Sequence, residues 1–281
     1  MHFKTLHAYT TPASVRPAAR LYRRLSYPRT ARLADAIIIN SESLRQDVQR
    51  YLDVDPAKLQ LIPEAVDHDL FRPGDRDDAW SLVSAKYGIT EPFVLFVSSL
   101  WPYKNCAGLL RAFAAAKSEL GRRQLVLVGP GRDVEHVTEL RALADELGIA
   151  DDIVWVGGVP IEETVHFYRA ADVFVYPSFN ETFGLPLLEA MACACPVVTS
   201  DTSAMPETTG GAALLADPTD PESIAGAIVE ACGAEGDRLR KLGPMRAGEF
   251  TWAATAERTL AVYREVHSRR ARPRSLLGRS R

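Results

Sequence analysis

The chain has 281 residues, 47% hydrophobic and 25% charged, which is enough apolar content for two domains with ordinary cores. A formal net charge of −3 argues against a nucleic-acid-binding surface, so no nucleic acid is expected as a partner. No apolar run approaches the roughly 20 residues of a membrane span, and Met1 to His7 lacks the pattern of a signal peptide, which points to the cytoplasm.

In chain order, residues 36–40 and 59–63 are expected as strands around a helix near 43–52, with Ser41 as its cap. A Pro/Gly/Asp-rich joint, Phe71-Arg72-Pro73-Gly74-Asp75, follows and is expected to be open to proteases as far as Asp78. Strands are then expected at 93–98, 124–128, 153–156, 172–176 and 196–199, alternating with helices near 106–120, 134–147, 162–170 and 185–193. Strict alternation predicts a parallel, doubly wound α/β sheet whose ligand lies at the carboxyl ends of the strands. Thr251-Trp252 opens a last amphipathic helix to about His267. The four cysteines, at 106, 193, 195 and 232, have no C-x2-C spacing, and Cys193 and Cys195 read as small core residues closing a helix; no metal site is expected. Gly129-Pro130-Gly131-Arg132 lacks the spacing of either phosphate-loop motif and reads as a turn.

The densest chemistry is Asn180-Glu181-Thr182-Phe183-Gly184-Leu185-Pro186-Leu187-Leu188-Glu189-Ala190-Met191, after the apolar run Asp172 to Pro177. Pro186 suits a first helical turn, and Gly184 lets the backbone approach a ligand. The free N–H groups of that turn favour an anion, with phosphate the commonest. Glu181 and Glu189 are eight positions apart, about 12 Å along a helix, so they cannot hold one atom but can hold two ends of a long ligand. A nucleotide-sugar, with phosphates in the middle and a sugar at each end, has that layout. The bland alternative makes Glu181 a surface loop residue and Glu189 a charge favoured by the helix dipole.

These residues, with Glu189-Ala190-Met191-Ala192 and Pro196-Val197-Val198 after them, resemble the E-x7-E signature of retaining glycosyltransferases of the family-4 type. Further matches follow in order: Phe93 to Val97 leading to Lys104-Asn105, Leu125 to Gly129, Val154 to Gly157, Ala171 to Ser178, and Pro206-Glu207. Ala34 to Ser41 and Ile62 to Asp67 extend the likeness into the first third. The resemblance implies a GT-B architecture of two Rossmann-like domains facing a cleft. It implies transfer of a sugar from a nucleoside-diphosphate-sugar to a hydroxyl acceptor, in polysaccharide or lipid-linked glycan assembly, with retention and with neither cofactor nor obligatory metal. By the same resemblance Lys104 and the N–H groups of Gly184 and Leu185 hold the diphosphate, and Glu181 holds the donor sugar. Glu189 holds the ribose, Ser99 and Phe183 lie against the donor, and the backbone of Gly157 to Val159 lines the base pocket. Lys104 and Glu181 are the expected catalytic residues. Two rival readings stay open: a donor-binding half without activity of its own, and a GT-B epimerase or phosphorylase.

The resemblance divides the chain into a partial acceptor-side domain (1–72), a nucleotide-sugar domain (73–250), a helix crossing back to the first domain (251–268) and a basic tail (269–281). About 70 residues precede the joint, enough for two strands and two or three helices. We therefore expect a missing start or a partner chain supplying it, with an apolar edge around Leu33, Ile37, Ile39 and Leu61 left partly uncovered. His7 is either the cleft histidine that the family's first domain contributes or an ordinary polar residue near the terminus. Two departures from the family pattern bear on the site. Ser98-Ser99 stands where a Gly-Arg pair is common, removing one diphosphate-binding cation, and Ala194 stands where glycine is usual. The tail carries six arginines in its 13 residues, read either as a solvated end or as a contact with an anionic membrane.

Overall fold

A computed structural model describes residues 17–271. Helix α1 (Pro17–Leu33) leads into β1 (Ile37–Ile39), α2 (Glu42–Tyr51) and β2 (Leu59–Leu61). The chain continues through α3 (Arg76–Tyr87), β3 (Phe93–Val97), α4 (Cys106–Leu120), β4 (Gln124–Val128), α5 (Val134–Glu146) and β5 (Ile153–Gly157). Then come α6 (Ile161–Ala170), β6 (Val173–Tyr176), α7 (Leu185–Ala192), β7 (Val197–Ser200), α8 (Met205–Thr209) and β8 (Leu214–Ala216). Helices α9 (Pro221–Cys232), α10 (Gly236–Ala247) and α11 (Trp252–Ala271) complete the described chain. Among the described residues no helix is long and apolar enough to cross a membrane.

Six parallel strands pair in the order β5-β4-β3-β6-β7-β8. Their continuous Val, Leu and Phe runs follow from burial on both faces: all four residues of β6 and of β7 are buried, as a sheet covered by helices on both sides requires. The order reverses between β3 and β6. Consecutive β3 and β4 pair with Phe93 opposite Gln124, whereas the chain returns to place Val94 opposite Val173 on the other side of β3. That reversal opens a crevice at the strand carboxyl ends, where such sheets bind ligands.

A smaller unit consists of β1 and β2 in parallel, Ile37 opposite Leu59, under a core of Ala31, Ile39, Leu44, Val48, Leu52 and Leu59. Ser41 caps α2, accepting from Leu44 N–H at 3.1 Å. Leu33 is 72% exposed and Ile38 is also exposed, so part of this unit's apolar surface faces outward. Helix α11 reaches back to it: the Thr255 hydroxyl donates to the Pro63 carbonyl at 2.9 Å, and Arg270 pairs with Asp35.

Arg72 to Asp78 are exposed, as an open joint requires, yet the segment is anchored to the large sheet at several points. Val66 and Phe71 are buried in the core of the large sheet, Arg169 donates to the Arg72 carbonyl at 3.0 Å, and Arg76 is bonded to Asp172. Asp75 then caps α3 by accepting from the Asp77 and Asp78 N–H groups, each at 2.9 Å. Polar, turn-forming residues made the segment look like a free linker; the cap and the arginine contacts they serve are tertiary. Helix α11 also outruns its expected end, taking in Arg269, Arg270 and Ala271. The tail from residue 272, like His7, lies outside the described residues.

Candidate active site

The crevice between β3 and β6 receives one loop from each strand. After β3 the chain makes a single 3₁₀ turn, Pro102–Lys104, and Asn105 starts α4 in the left-handed region at φ 59°. Its amide side chain accepts from Gly108 N–H at 3.1 Å and donates to the carbonyls of Pro177 (3.0 Å) and Pro218 (2.7 Å). Asn105 thereby ties the lysine loop to the loop that follows β6. After β6, Pro177 to Gly184 carries Glu181 and enters α7.

Lys104 and Glu181, each expected as a catalytic residue, meet directly. Lys104 Nζ stands 2.6 Å from Glu181 Oε1, with the residues 9% and 7% exposed respectively. The same Oε1 accepts from the Tyr176 hydroxyl at 2.9 Å and the Ser178 hydroxyl at 2.7 Å, and Lys104 also donates to the Tyr176 oxygen. The ammonium lies 4.9 Å from the Tyr176 ring centroid and 5.0 Å from that of Tyr103. Burial, and then the Glu181 charge, push the Tyr103 phenol up to about 12, and the same two causes drive Tyr176 well above its ordinary value. Both tyrosines are thus neutral hydrogen-bonding groups. Glu181 Oε2 has no hydrogen-bond partner among the described residues.

The backbone of this loop is clamped as well. Ser203, at φ 61° beyond β7, has its hydroxyl 2.6 Å from the Glu181 carbonyl and 2.8 Å from Asn180 Oδ1, and accepts from Glu181 N–H at 3.2 Å. The Ser41 hydroxyl of the small unit donates to the Thr182 carbonyl at 2.7 Å. Glu207 reaches the other way, both its oxygens 2.9 Å from Glu42 N–H, so it neutralises the amino end of α2. Gly184 starts α7 at φ 94°, a conformation that admits glycine readily. No side chain caps α7, and the N–H groups of Gly184 and Leu185 have no partner among the described residues. They are free donors at the positive end of a helix dipole.

The remaining candidates are dispersed. Glu189 lies one turn into α7 and accepts from the Tyr168 hydroxyl of α6 at 2.9 Å; burial raises its carboxyl above the ordinary range and the Tyr168 bond opposes that shift. The Phe183 ring is buried edge-on to Phe250 at 5.6 Å, and its carbonyl accepts from Thr208 at 2.6 Å. Ser99 is half-buried beyond β3, beside Gly129, where a Cβ would come 1.9 Å from the Ser98 carbonyl oxygen. Gly157 closes β5 and accepts from Gly129 N–H at 2.7 Å, with half-buried Val159 next to it. Two strand spacings separate β5 from β3, about 10 Å. Among the described residues no group of three or more His, Cys, Asp or Glu is placed to hold a metal ion. A cavity of about 270 Å³ opens between the small unit and α11, touching Asn40, Glu64, Phe183, Glu207, Arg246 and Arg258.

Tyr168, Tyr176, Ser178 and Ser203 were not assigned roles from the sequence. A signal existed for the tyrosines, since a phenol in a buried apolar run needs a polar partner. Ser203 offered none.

The strand order, the reversal point and the two loops meeting there define a doubly wound, Rossmann-like α/β sheet, and the solved structures that share it are glycosyltransferases of GT-B architecture. The glycosyl transferases group 1 description matches residues 83–242, and that of glycosyltransferase family 4 matches residues 2–70. The chain belongs to the glycosyl transferases group 1 family. It is 36% identical over 254 residues to the D-inositol 3-phosphate glycosyltransferase of Mycolicibacterium smegmatis, covering 88% of this chain and 57% of that protein. Against the protein of the same name from Corynebacterium jeikeium it is 33% identical over 256 residues, covering 87% of this chain and 60% of the other. The chain thus spans a little over half the length of these curated relatives. Sucrose-phosphate synthase from Thermosynechococcus elongatus superposes with a TM-score of 0.79 at 28% identity, over 95% of this chain and 65% of the other. Anabaena HepE, solved in complex with UDP and glucose, shares the fold with a TM-score of 0.75 at 20% identity, over 87% of this chain and 66% of the other.

Proposed function

We infer that the chain transfers a sugar from a nucleoside-diphosphate-sugar to a hydroxyl acceptor, with retention at the anomeric carbon and no obligatory metal. The observation that carries this reading is the buried Lys104–Glu181 pair at the sheet's reversal point, beside the uncapped amino end of α7. A diphosphate entering there draws Lys104 away from Glu181 toward its own charge. Glu181 keeps Tyr176 and Ser178 as donors, so it stays oriented while its oxygens accept from the donor sugar's hydroxyls. Lys104 and the Gly184 and Leu185 N–H groups stabilise the charge that grows as the diphosphate leaves. Glu189 takes the ribose. The base lies toward Gly157 and Val159, at a distance suited to the far end of a long ligand. No arginine stands at Ser98 or Ser99, so Lys104 is the cation provided by the lysine loop. The relatives' name makes D-inositol 3-phosphate the first acceptor to try, alongside lipid-linked and polysaccharide acceptors.

A thermal-shift screen against UDP-, GDP- and ADP-sugars tests the reading. A specific donor at 100 times its Kd stabilises by about 2.7 kcal/mol, and Lys104→Ala should abolish that shift. No shift with any nucleoside-diphosphate-sugar overturns the assignment.

A further inference from the structure

The two glutamates are held in different ways. Glu181 has three side-chain donors, all on one oxygen. Glu189 has one: the Tyr168 hydroxyl donates to Oε2 at 2.9 Å, leaving Oε1 without a partner among the described residues. Tyr168 is itself immobilised. It is fully buried on α6, edge-on to Phe174 at a centroid distance of 5.3 Å and to Phe71 at 6.1 Å. A phenol packed in this way presents its hydroxyl at one point, whereas a glutamate with three side-chain torsions samples several rotamers unless something holds it.

We propose that Tyr168 is a positioning residue for Glu189: its hydroxyl fixes Oε2 and so aims Oε1 at the ribose hydroxyls of a nucleoside diphosphate. This rests on the donor site described under Proposed function. The ionisable groups around the pair are Tyr168 on α6, Tyr176 at the end of β6 and Cys193 just past α7, with Arg169 of α6 beside Cys193. Burial keeps the Tyr168 and Tyr176 phenols and the Cys193 thiol protonated, the last at about 12, which leaves Glu189, its carboxyl raised by burial, as the carboxylate of the cluster. Removing the Tyr168 hydroxyl deletes the one bond that opposes the upward shift of Glu189.

The test measures the affinities of two probes by calorimetry on wild type and Tyr168→Phe: UDP, replaced by GDP or ADP if the wild type binds one of these better, and inorganic pyrophosphate. Pyrophosphate lacks the ribose and serves as an internal check on folding and on the phosphate subsite. In Y168F the nucleotide affinity should fall about tenfold, the effect of losing one well-placed bond to a charged group, with pyrophosphate unchanged. The pH below which nucleotide affinity is lost should move upward. Adding Y168F to Glu189→Ala should cost nothing further. Should Y168F fail to fold, Glu189→Asp withdraws the carboxylate by one methylene and should give the same selective loss. Unchanged nucleotide affinity in the variant, or equal weakening of both probes, overturns the positioning role alone. A wild type that binds no nucleoside diphosphate better than pyrophosphate overturns the site reading, and this inference with it.

Discussion

Lys104 and Glu181 are 77 positions apart in the chain, yet their charged atoms stand 2.6 Å apart because the strands before them, β3 and β6, are neighbours in the sheet. The pair is buried, so each charge depends on the other for much of its compensation. Lys104→Met leaves a carboxylate in a desolvated site with two hydroxyl donors. Urea unfolding should show a loss of about 3 kcal/mol, part of it recovered when Glu181→Gln is added. A K104M protein as stable as wild type would mean that solvent already screens the pair.

Glu189 gives stability a pH dependence of known sign. Its carboxyl is raised by burial above the usual carboxylate range, so the folded state keeps the proton to a higher pH than the unfolded chain. This group's contribution is therefore fully present at low pH and is lost as pH rises through the folded value. Glu189→Gln keeps an acceptor for Tyr168 but never ionises. Its melting temperature should exceed wild type at about pH 8, with the difference closing as pH falls toward 4.5. A constant difference across that range would contradict the shift.

Ala194 follows the end of α7 with φ 58°, a left-handed position that disfavours any residue with a Cβ. Ala194→Gly should stabilise the chain by roughly 0.5 to 1 kcal/mol in chemical denaturation, after the entropy of the added glycine is offset. A destabilised variant would show that the Ala194 methyl group contributes more through packing than its backbone loses through strain.

Asn105 combines a left-handed φ of 59° with three side-chain hydrogen bonds, two to the carbonyls of other loops and one from the Gly108 N–H of α4. Asn105→Ala strands the Pro177 and Pro218 carbonyls and one N–H of α4. A loss of about 2 to 4 kcal/mol is expected from urea titration, with weaker nucleotide binding because the lysine loop is no longer tied to the Glu181 loop. A loss below roughly 1 kcal/mol would place those carbonyls in contact with water.

Most of the large sheet was legible because its signals are local. The runs 93–97 and 124–128, the helix from Cys106 to Leu120 and the cap at Ser41 rest on apolar runs, helical periodicity and capping chemistry within a few residues of each other. Elements with weaker local signals were passed over. Helix α1 is rich in arginine, α3 buries only Ala79 and Val83, and β8 is three residues long. No element is expected from the sequence between β7 and α11, where the structure holds α8, β8, α9 and α10.

The sequence by itself determined which residue types stand at the candidate site, since Lys104, Glu181, Gly184 and Glu189 sit in motifs bounded by strand and helix signals. It also determined the parallel α/β class, through the alternation of buried runs and helices. Tertiary structure alone decided that Lys104 neutralises Glu181, that Tyr176 and Ser178 share its oxygen, and that Tyr168 holds Glu189. It also turned Phe183 into the core against Phe250 and drew the Phe71 to Asp75 joint onto the large sheet. The physical reason is common to all of these. Hydrophobic period and turn chemistry act over a few residues, whereas an ion pair or a clamped phenol depends on strand order, which is set by the free energy of packing the whole sheet.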